Sequence, residues 1–323
     1  MSFRRTVIIL SSVFMILLCL FIVGLVFSPR GTTQRAAATL LFPGLKPQSV
    51  ARIEISDSAS RVVLTKSGAW TIDVSGKPYP ASQQRADALI QAVASLTRGS
   101  LVTRNAQAAA GLGIGTQAGK SIALSDANGK TLCQIQVGKN GAGGQGFYLQ
   151  AGKASEVWQT GQALSSSLTT DRAFWADLRI LPQNATGDSV IRLSVSERTG
   201  KPFSWTSTRE RDAQNKVSWT LAGVSPAKVQ QAKLDAIANA VTGLTGSDFL
   251  TDPSQASSLA SPAATVIVSF ADNRTFTVLF GAKTAEGRYP CSLEQGQYAY
   301  LVPEWRAQQE ILLSEEAITT GSR

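Results

Sequence analysis

The chain has 323 residues and a formal charge of +9, from 31 Lys and Arg against 22 Asp and Glu, and contains no histidine. The missing histidine excludes Ser-His-Asp and Cys-His nucleophilic mechanisms and every His-ligated metal site. The basic residues are scattered singly, with no run of five or six, no aromatic-basic motif and no zinc spacing. That pattern describes a solvated surface and no nucleic-acid binding, although a net positive charge suits anionic partners such as lipid headgroups or cell-wall polymers.

Residues 7–27, including Val7, Leu17 and Phe27, are 21 consecutive uncharged positions. As a helix they cover a hydrocarbon core of about 30 Å. A cleaved signal peptide, with Arg4 and Arg5 as its basic region, would normally have a shorter apolar run, so length favours a retained anchor. Leu18 before Cys19 does not suit lipidation, which leaves Cys19 as an apolar side chain. The expectation is a single-pass inner-membrane protein with a short cytoplasmic tail and the bulk of the chain in the periplasm.

Residues 28–48, with Pro29, Gly31, Pro43, Gly44 and Pro47, read as a juxtamembrane linker. From there the chain states one plan twice, about 145 residues apart. In the first copy, residues 49–182, an alternating strand with Val50, Ile53 and Ile55 precedes a strand bearing Trp70. A helix with Ala86, Leu89, Ile90, Val93 and Leu96 on one face follows, then strands over 121–124 and 132–139. Strands at 147–149 and 156–158, a polar helix around 163–170 and the segment 171–175 complete it. A turn-rich stretch, 182–188, reads as a hinge.

In the second copy, 188–320, strands over 190–193 and 218–221 carry Trp219 at the position of Trp70, and a polar hairpin is expected around 210–215. Its helix is expected to start at Ser225 as N-cap with Pro226 at the first helical position, burying Val229, Leu234, Ile237, Val241 and Leu244. Strands over 265–268 and 276–280 follow, then a helix from about Pro303 with Trp305 and Leu312 as its apolar residues. The fold class is therefore α+β: one N-terminal transmembrane helix, then two tandem repeats, each an antiparallel sheet packed on a long helix. Trp70 and Trp219 read as matching core positions.

The opening strand 50–55, the Trp70 strand, Tyr79-Pro80-Ala81 before the helix, Gly111-Leu112-Gly113 and the strand end Val137-Gly138-Lys139 resemble the bacterial domain of unknown function 4340 family. The resemblance covers most of 49–182 and recurs more weakly over 188–320; Gly113 stands where the family usually has an acidic residue. It implies a membrane-anchored extracytoplasmic protein associated with ABC transporters of the gliding-motility type, and it brings no catalytic residues.

Two glycine-rich segments invite a nucleotide reading and fail it. Residues 113–121 end in Gly119-Lys120-Ser121, but a phosphate loop needs Gly where Ile114 stands and must open a helix, whereas this one opens a strand. Residues 141–146 match G-x-G-x-x-G but lead into Phe147-Tyr148-Leu149, a strand. The second segment is a hairpin loop, and Gly141, Gly143 and Gly146 make it a candidate contact loop. Asp171, Asp177, Glu210, Glu294 and Glu304 lie near aromatics or loops without forming a carboxylate motif. Cys133 reads as a buried apolar residue, with a disulfide to Cys291 left open.

No cofactor, metal or catalytic residue is expected. The favoured reading is a non-enzymatic accessory or scaffold subunit whose partners are ABC-transporter membrane subunits and the inner membrane. A binding protein for an anionic envelope ligand is the alternative, and a cell-wall hydrolase ranks last.

Overall fold

The computed structural model describes residues 39–320, apart from 116–118, 142–143, 145, 153, 162–163, 165–167 and 212–216. The apolar run 7–27 lies outside the described residues, and no helix among them is long and apolar enough to cross a membrane.

The described residues form two antiparallel sheets with few helices. The first contains β1 (Arg52–Ser56), β2 (Arg61–Ser67), β3 (Ala69–Val74), β4 (Lys77–Pro80), β5 (Ser100–Thr103), β6 (Lys120–Ser125), β7 (Thr131–Asn140), β8 (Phe147–Ala151) and β9 (Val157–Thr160), in the order β4-β3-β2-β1-β6-β7-β8-β9-β5. The second contains β10 (Val190–Glu197), β11 (Phe203–Arg211), β12 (Val217–Leu221), β13 (Asp248–Phe249), β14 (Ala264–Phe270), β15 (Thr275–Phe280), β16 (Arg288–Leu293) and β17 (Ala299–Pro303), in the order β12-β11-β10-β14-β15-β16-β17-β13. Strand for strand the orders coincide, except that nothing takes the place of β4 beside β12. Each sheet closes with a short outer strand, β5 or β13, contributed by the chain just after the long helix.

Alternation along the strands decides which face is buried. Ile53 and Ile55 of β1 pair with Leu64 and Val62 of β2 and with Leu124 and Ile122 of β6, and all six are buried. The helix Gln83–Ala94 lays Ala86, Leu89, Ile90 and Val93 on that face, and Gln231–Thr242 lays Leu234, Ile237, Ala238 and Val241 on the second sheet. One continuous core runs through both units. A small satellite of Ala109, Ile114 and Val157 lies beside the short helix Ala106–Gly111.

Several expectations are corrected. The helix of the second unit does not begin at Ser225. Pro226–Lys228 is an isolated 3-10 turn, Val229 is extended and bridges Thr319, and the α-helix starts at Gln231. The competing partner is the chain's own C-terminal segment, since Gln230 N–H also donates to the Ile318 carbonyl at 3.0 Å.

The stretch 28–48 is not a free linker where it is described. Leu40 bridges Thr97, the Leu41 N–H donates to the Leu96 carbonyl at 2.7 Å, and Leu41 is buried. Likewise 182–188 is folded into the second unit. Gly187–Ser189 is a 3-10 turn against the helix Gln231–Thr242, so close that a Cβ on Gly187 would lie 2.0 Å from Asn239 Oδ1.

Of the polar helix expected around 163–170, residues 168–170 are not helical, and Asp171 caps only the four-residue helix Arg172–Trp175. In the helix Glu304–Glu310 Trp305 is exposed, whereas Leu312 beyond its end is buried. The tip of the hairpin between β11 and β12 lies outside the described residues.

Candidate functional site

The most specific arrangement in the molecule occurs twice. Trp70 on β3 is buried and donates its indole Nε1–H to Asp87 Oδ1 at 3.1 Å; Trp219 on β12 does the same to Asp235 Oδ1 at 2.8 Å. One turn N-terminal to each aspartate, a glutamine grips the backbone of that tryptophan. Gln83 Oε1 accepts from the Trp70 N–H at 2.9 Å while its Nε2 donates to the Trp70 carbonyl at 3.1 Å. Gln231 repeats both bonds on Trp219, at 2.6 and 2.9 Å.

A cation on the neighbouring strand, directly opposite in register, lies over each indole: Lys66 Nζ at 5.5 Å from the ring centroid and the Arg209 guanidinium at 4.5 Å. The Gln-x-x-x-Asp spacing puts both polar side chains on one helix face, toward the strand edge, while the apolar stripe faces the core.

In the second unit this module borders an open groove of about 1040 Å³, lined among others by Asp188, Arg209, Trp219, Gln231, Asp235 and Asn239. Its one large cation is already engaged. Arg209 pairs with Asp235 and donates to the carbonyls of Gly187 at 3.2 Å and Asp188 at 2.9 Å. A guanidinium spent in this way clamps the helix, the sheet and the 3-10 turn together and has little left for an anionic ligand.

The second distinctive arrangement is the seam between the units. Tyr79 of β4 meets Phe249 of β13 edge-on, with centroids 4.8 Å apart, and lies 5.0 Å from Tyr298 and 5.8 Å from Tyr300. Lys77 Nζ sits 5.5 Å from the centroids of both Tyr79 and Tyr298 and donates to the Gln297 carbonyl. Burial raises the Tyr79 and Tyr300 phenols above their ordinary values, so both rings stay neutral.

The connecting chain is stitched to both sides. Ser82 N–H donates to the Trp175 carbonyl and Asp177 N–H to the Pro80 carbonyl, at 2.8 and 2.9 Å. Ile180 N–H then donates to Leu244 and Gly246 N–H to Leu178, at 3.0 and 2.8 Å. Along this strap burial pushes the Asp177 carboxyl up, but the hydrogen bonds and charge of Arg179 outweigh it and hold the group below its ordinary value. The effective connector is therefore 175–180, ahead of the stretch 182–188 expected as a hinge.

The residues singled out in the sequence do not converge. Gly141 is buried, and its N–H donates to the Gly146 carbonyl at 3.0 Å. Gly146 has φ +65°, and a Cβ there would lie 1.5 Å from the Thr160 carbonyl oxygen, so this glycine is required by the close approach to β9. Gly143 lies outside the described residues, as do Val7, Leu17 and Phe27. Lys120 opens β6 and donates to the Leu168 carbonyl. Asp171 caps a helix, Asp177 pairs with Arg179, and Glu304 pairs with Lys283.

Among the described residues no three Cys, Asp or Glu side chains come together in a metal-binding group. Cys133 and Cys291 are buried free thiols on different sheets. Burial pushes the Cys133 thiol up to about 12 and raises Cys291 as well, which leaves neither as a nucleophile. The Gln83 and Gln231 clamps were missed by sequence reasoning. Their signal is the recurrence, in both copies, of Trp-Thr followed by Gln-x-x-x-Asp at the helix start.

These features define a duplicated α+β scaffold whose distinctive side chains serve strand clamps and a seam between sheets. The family model described as Domain of unknown function (DUF4340) matches residues 70–262, more than half of the chain, and the chain belongs to that family. The match begins at Trp70 and runs across the seam, so what the family shares includes the junction between the two sheets. No curated protein and no solved structure matches the chain.

Proposed function

We propose that this chain is a non-enzymatic, membrane-anchored periplasmic accessory or scaffold subunit of an ABC-transporter-type envelope complex. The observation that carries this reading is the aromatic seam. Tyr79, Phe249, Tyr298 and Tyr300, with the strap 175–180 bonded on both sides, hold two similar units as one body, the property a scaffold needs. The apolar run 7–27 supplies the anchor, and transporter membrane subunits are the partners in this proposal.

The alternative, binding of an anionic envelope ligand, would use the cleft of about 650 Å³ at the seam, where Arg85 and Arg179 lie. Arg179 is paired with Asp177 there, and Arg85 stacks on Phe174 and donates to its carbonyl, which weakens that reading.

The test is affinity purification of the full chain and of a form lacking residues 7–27 from native membranes in mild detergent, read by mass spectrometry. Recovery of transporter membrane subunits with the full chain is the expected result. Recovery of none, together with hydrolysis of a cell-wall substrate by the truncated form, would overturn the proposal.

A further inference from the structure

The two units meet head to tail: unit one offers its β4 edge, and unit two receives it on its β13–β17 edge. Such an interface is heterologous, so the receiving type of face occurs a second time, on unit one, with no second β4 from this chain to fill it. The repeat identifies that face residue by residue.

Phe249 pairs with Tyr300 across β13 and β17, and Leu101 pairs with Trp158 across β5 and β9. Arg98 N–H donates to the Thr39 carbonyl as Gly246 N–H donates to Leu178, which places Arg98 at the position of Gly246. In unit two the receiving side chains are covered: Phe249 is 5% exposed and Leu250 7%. In unit one their counterparts Leu101 and Val102 are 39% and 41% exposed, next to Leu40 at 40%. Where Tyr79 lies against Tyr300, unit one has only the Arg98 guanidinium, 5.9 Å from the Trp158 ring centroid.

We infer that the β5–β9 edge of unit one is a docking face for a partner polypeptide that presents a Tyr or Phe ring from an extended segment, as β4 presents Tyr79 to unit two. The inference deepens the accessory-subunit reading and rests on it. The occupant is not a second copy of this chain. Tyr79 of every copy is buried in its own seam, and beside β12 the chain forms the 3-10 turn Pro226–Lys228 where unit one has β4. Arg98 suits an incoming aromatic ring, because a guanidinium stacks on such a face and lies already at the rim. The exposed Leu101 and Val102 supply the apolar contact that an edge strand would otherwise shield with charge.

The experiment places a photo-crosslinking phenylalanine analogue at position 101 of the full chain in native membranes, with position 267 as control. Ile267 is equally exposed but lies on β14, in the middle of the second sheet. Irradiation is expected to link position 101, and not position 267, to a different polypeptide through a segment containing Tyr or Phe. With the probe moved to position 102, Leu101→Asp should reduce that adduct at least about tenfold at unchanged thermal melting, as expected for an interface anchor.

Adducts with lipid alone, with another copy of this chain, or no adduct at position 101 would overturn the inference. If transporter subunits still co-purify while position 101 gives no adduct, the face is wrong and the accessory role stands. If the adduct forms and none co-purify, the transporter reading fails and the face stands.

Discussion

Tyr79 in the first sheet and Phe249 in the second meet edge to face at 4.8 Å, so the last strand of one unit closes the receiving edge of the other. Both rings are buried in a core that runs through the two units. Tyr79→Ala should therefore cost about 3–5 kcal/mol and damage the seam rather than one sheet. A double-mutant cycle with Phe249→Ala is expected to show a coupling of about 0.5–1.5 kcal/mol beyond simple area loss. Urea denaturation of the four proteins checks this; additive costs would mean the rings are buried independently.

The two tryptophan modules should behave alike. Trp70→Ala and Trp219→Ala are each expected to lower unfolding stability by about 3–5 kcal/mol. The corresponding Trp→Phe changes keep most of the ring contact and lose the bond to Asp87 or Asp235, so a smaller cost of about 1–2 kcal/mol is expected. Chemical denaturation followed by circular dichroism reads both. A variant with wild-type stability would remove that tryptophan from the core.

What was legible in the sequence is what depends on local period. Alternation exposed β1 and β10, the apolar face at Ala86, Leu89, Ile90 and Val93 exposed the long helix, and the recurrence of Trp70 at Trp219 exposed the duplication. What escaped depends on partners far away along the chain. Val229 has the neighbours of a helical residue, but its bridge to Thr319 holds it extended. Residues 39–41 and 178–180 have linker composition, yet their backbone bonds go to 96–98 and 244–246 after each long helix. Tyr79 was visible as part of a family signature; its role was not, because Phe249 and Tyr300 lie in the other copy.

The missing counterpart of β4 makes the two glutamine clamps unequal. Gln231 bonds the outward N–H and carbonyl of Trp219 on an edge strand, whereas β4 additionally pairs with β3 from Thr71 to Val74 in unit one. Gln231→Ala should free two backbone groups, cost about 1–2 kcal/mol, and speed amide exchange along β12. Gln83→Ala should confine faster exchange to the neighbourhood of the Trp70 amide. Hydrogen–deuterium exchange with peptide-level readout tests the asymmetry; equal spread along β3 and β12 would count against it.

Asp57 gives a pH-dependent prediction. Its carboxylate accepts from the backbone N–H groups of Ala59 at 2.9 Å and Ser60 at 2.8 Å and from the Thr170 hydroxyl at 2.8 Å, tying the turn between β1 and β2 to the segment before the helix Arg172–Trp175. Led by the Ala59 bond and then the Thr170 bond, these interactions hold its pKa at about 2, against an ordinary value of 3.8. A folded-state pKa below the unfolded one means that the contribution is fully present above the unfolded value and fades as pH falls through the folded one. The window therefore lies between about pH 4 and pH 2. Asp57→Asn should lower the urea midpoint at pH 6, and its difference from the parent protein should close as pH approaches 2. NMR titration of the Asp57 carboxyl supplies the folded-state value directly. A midpoint difference that stays constant from pH 6 to pH 2 would show that the turn is held by shape alone, without help from the charge.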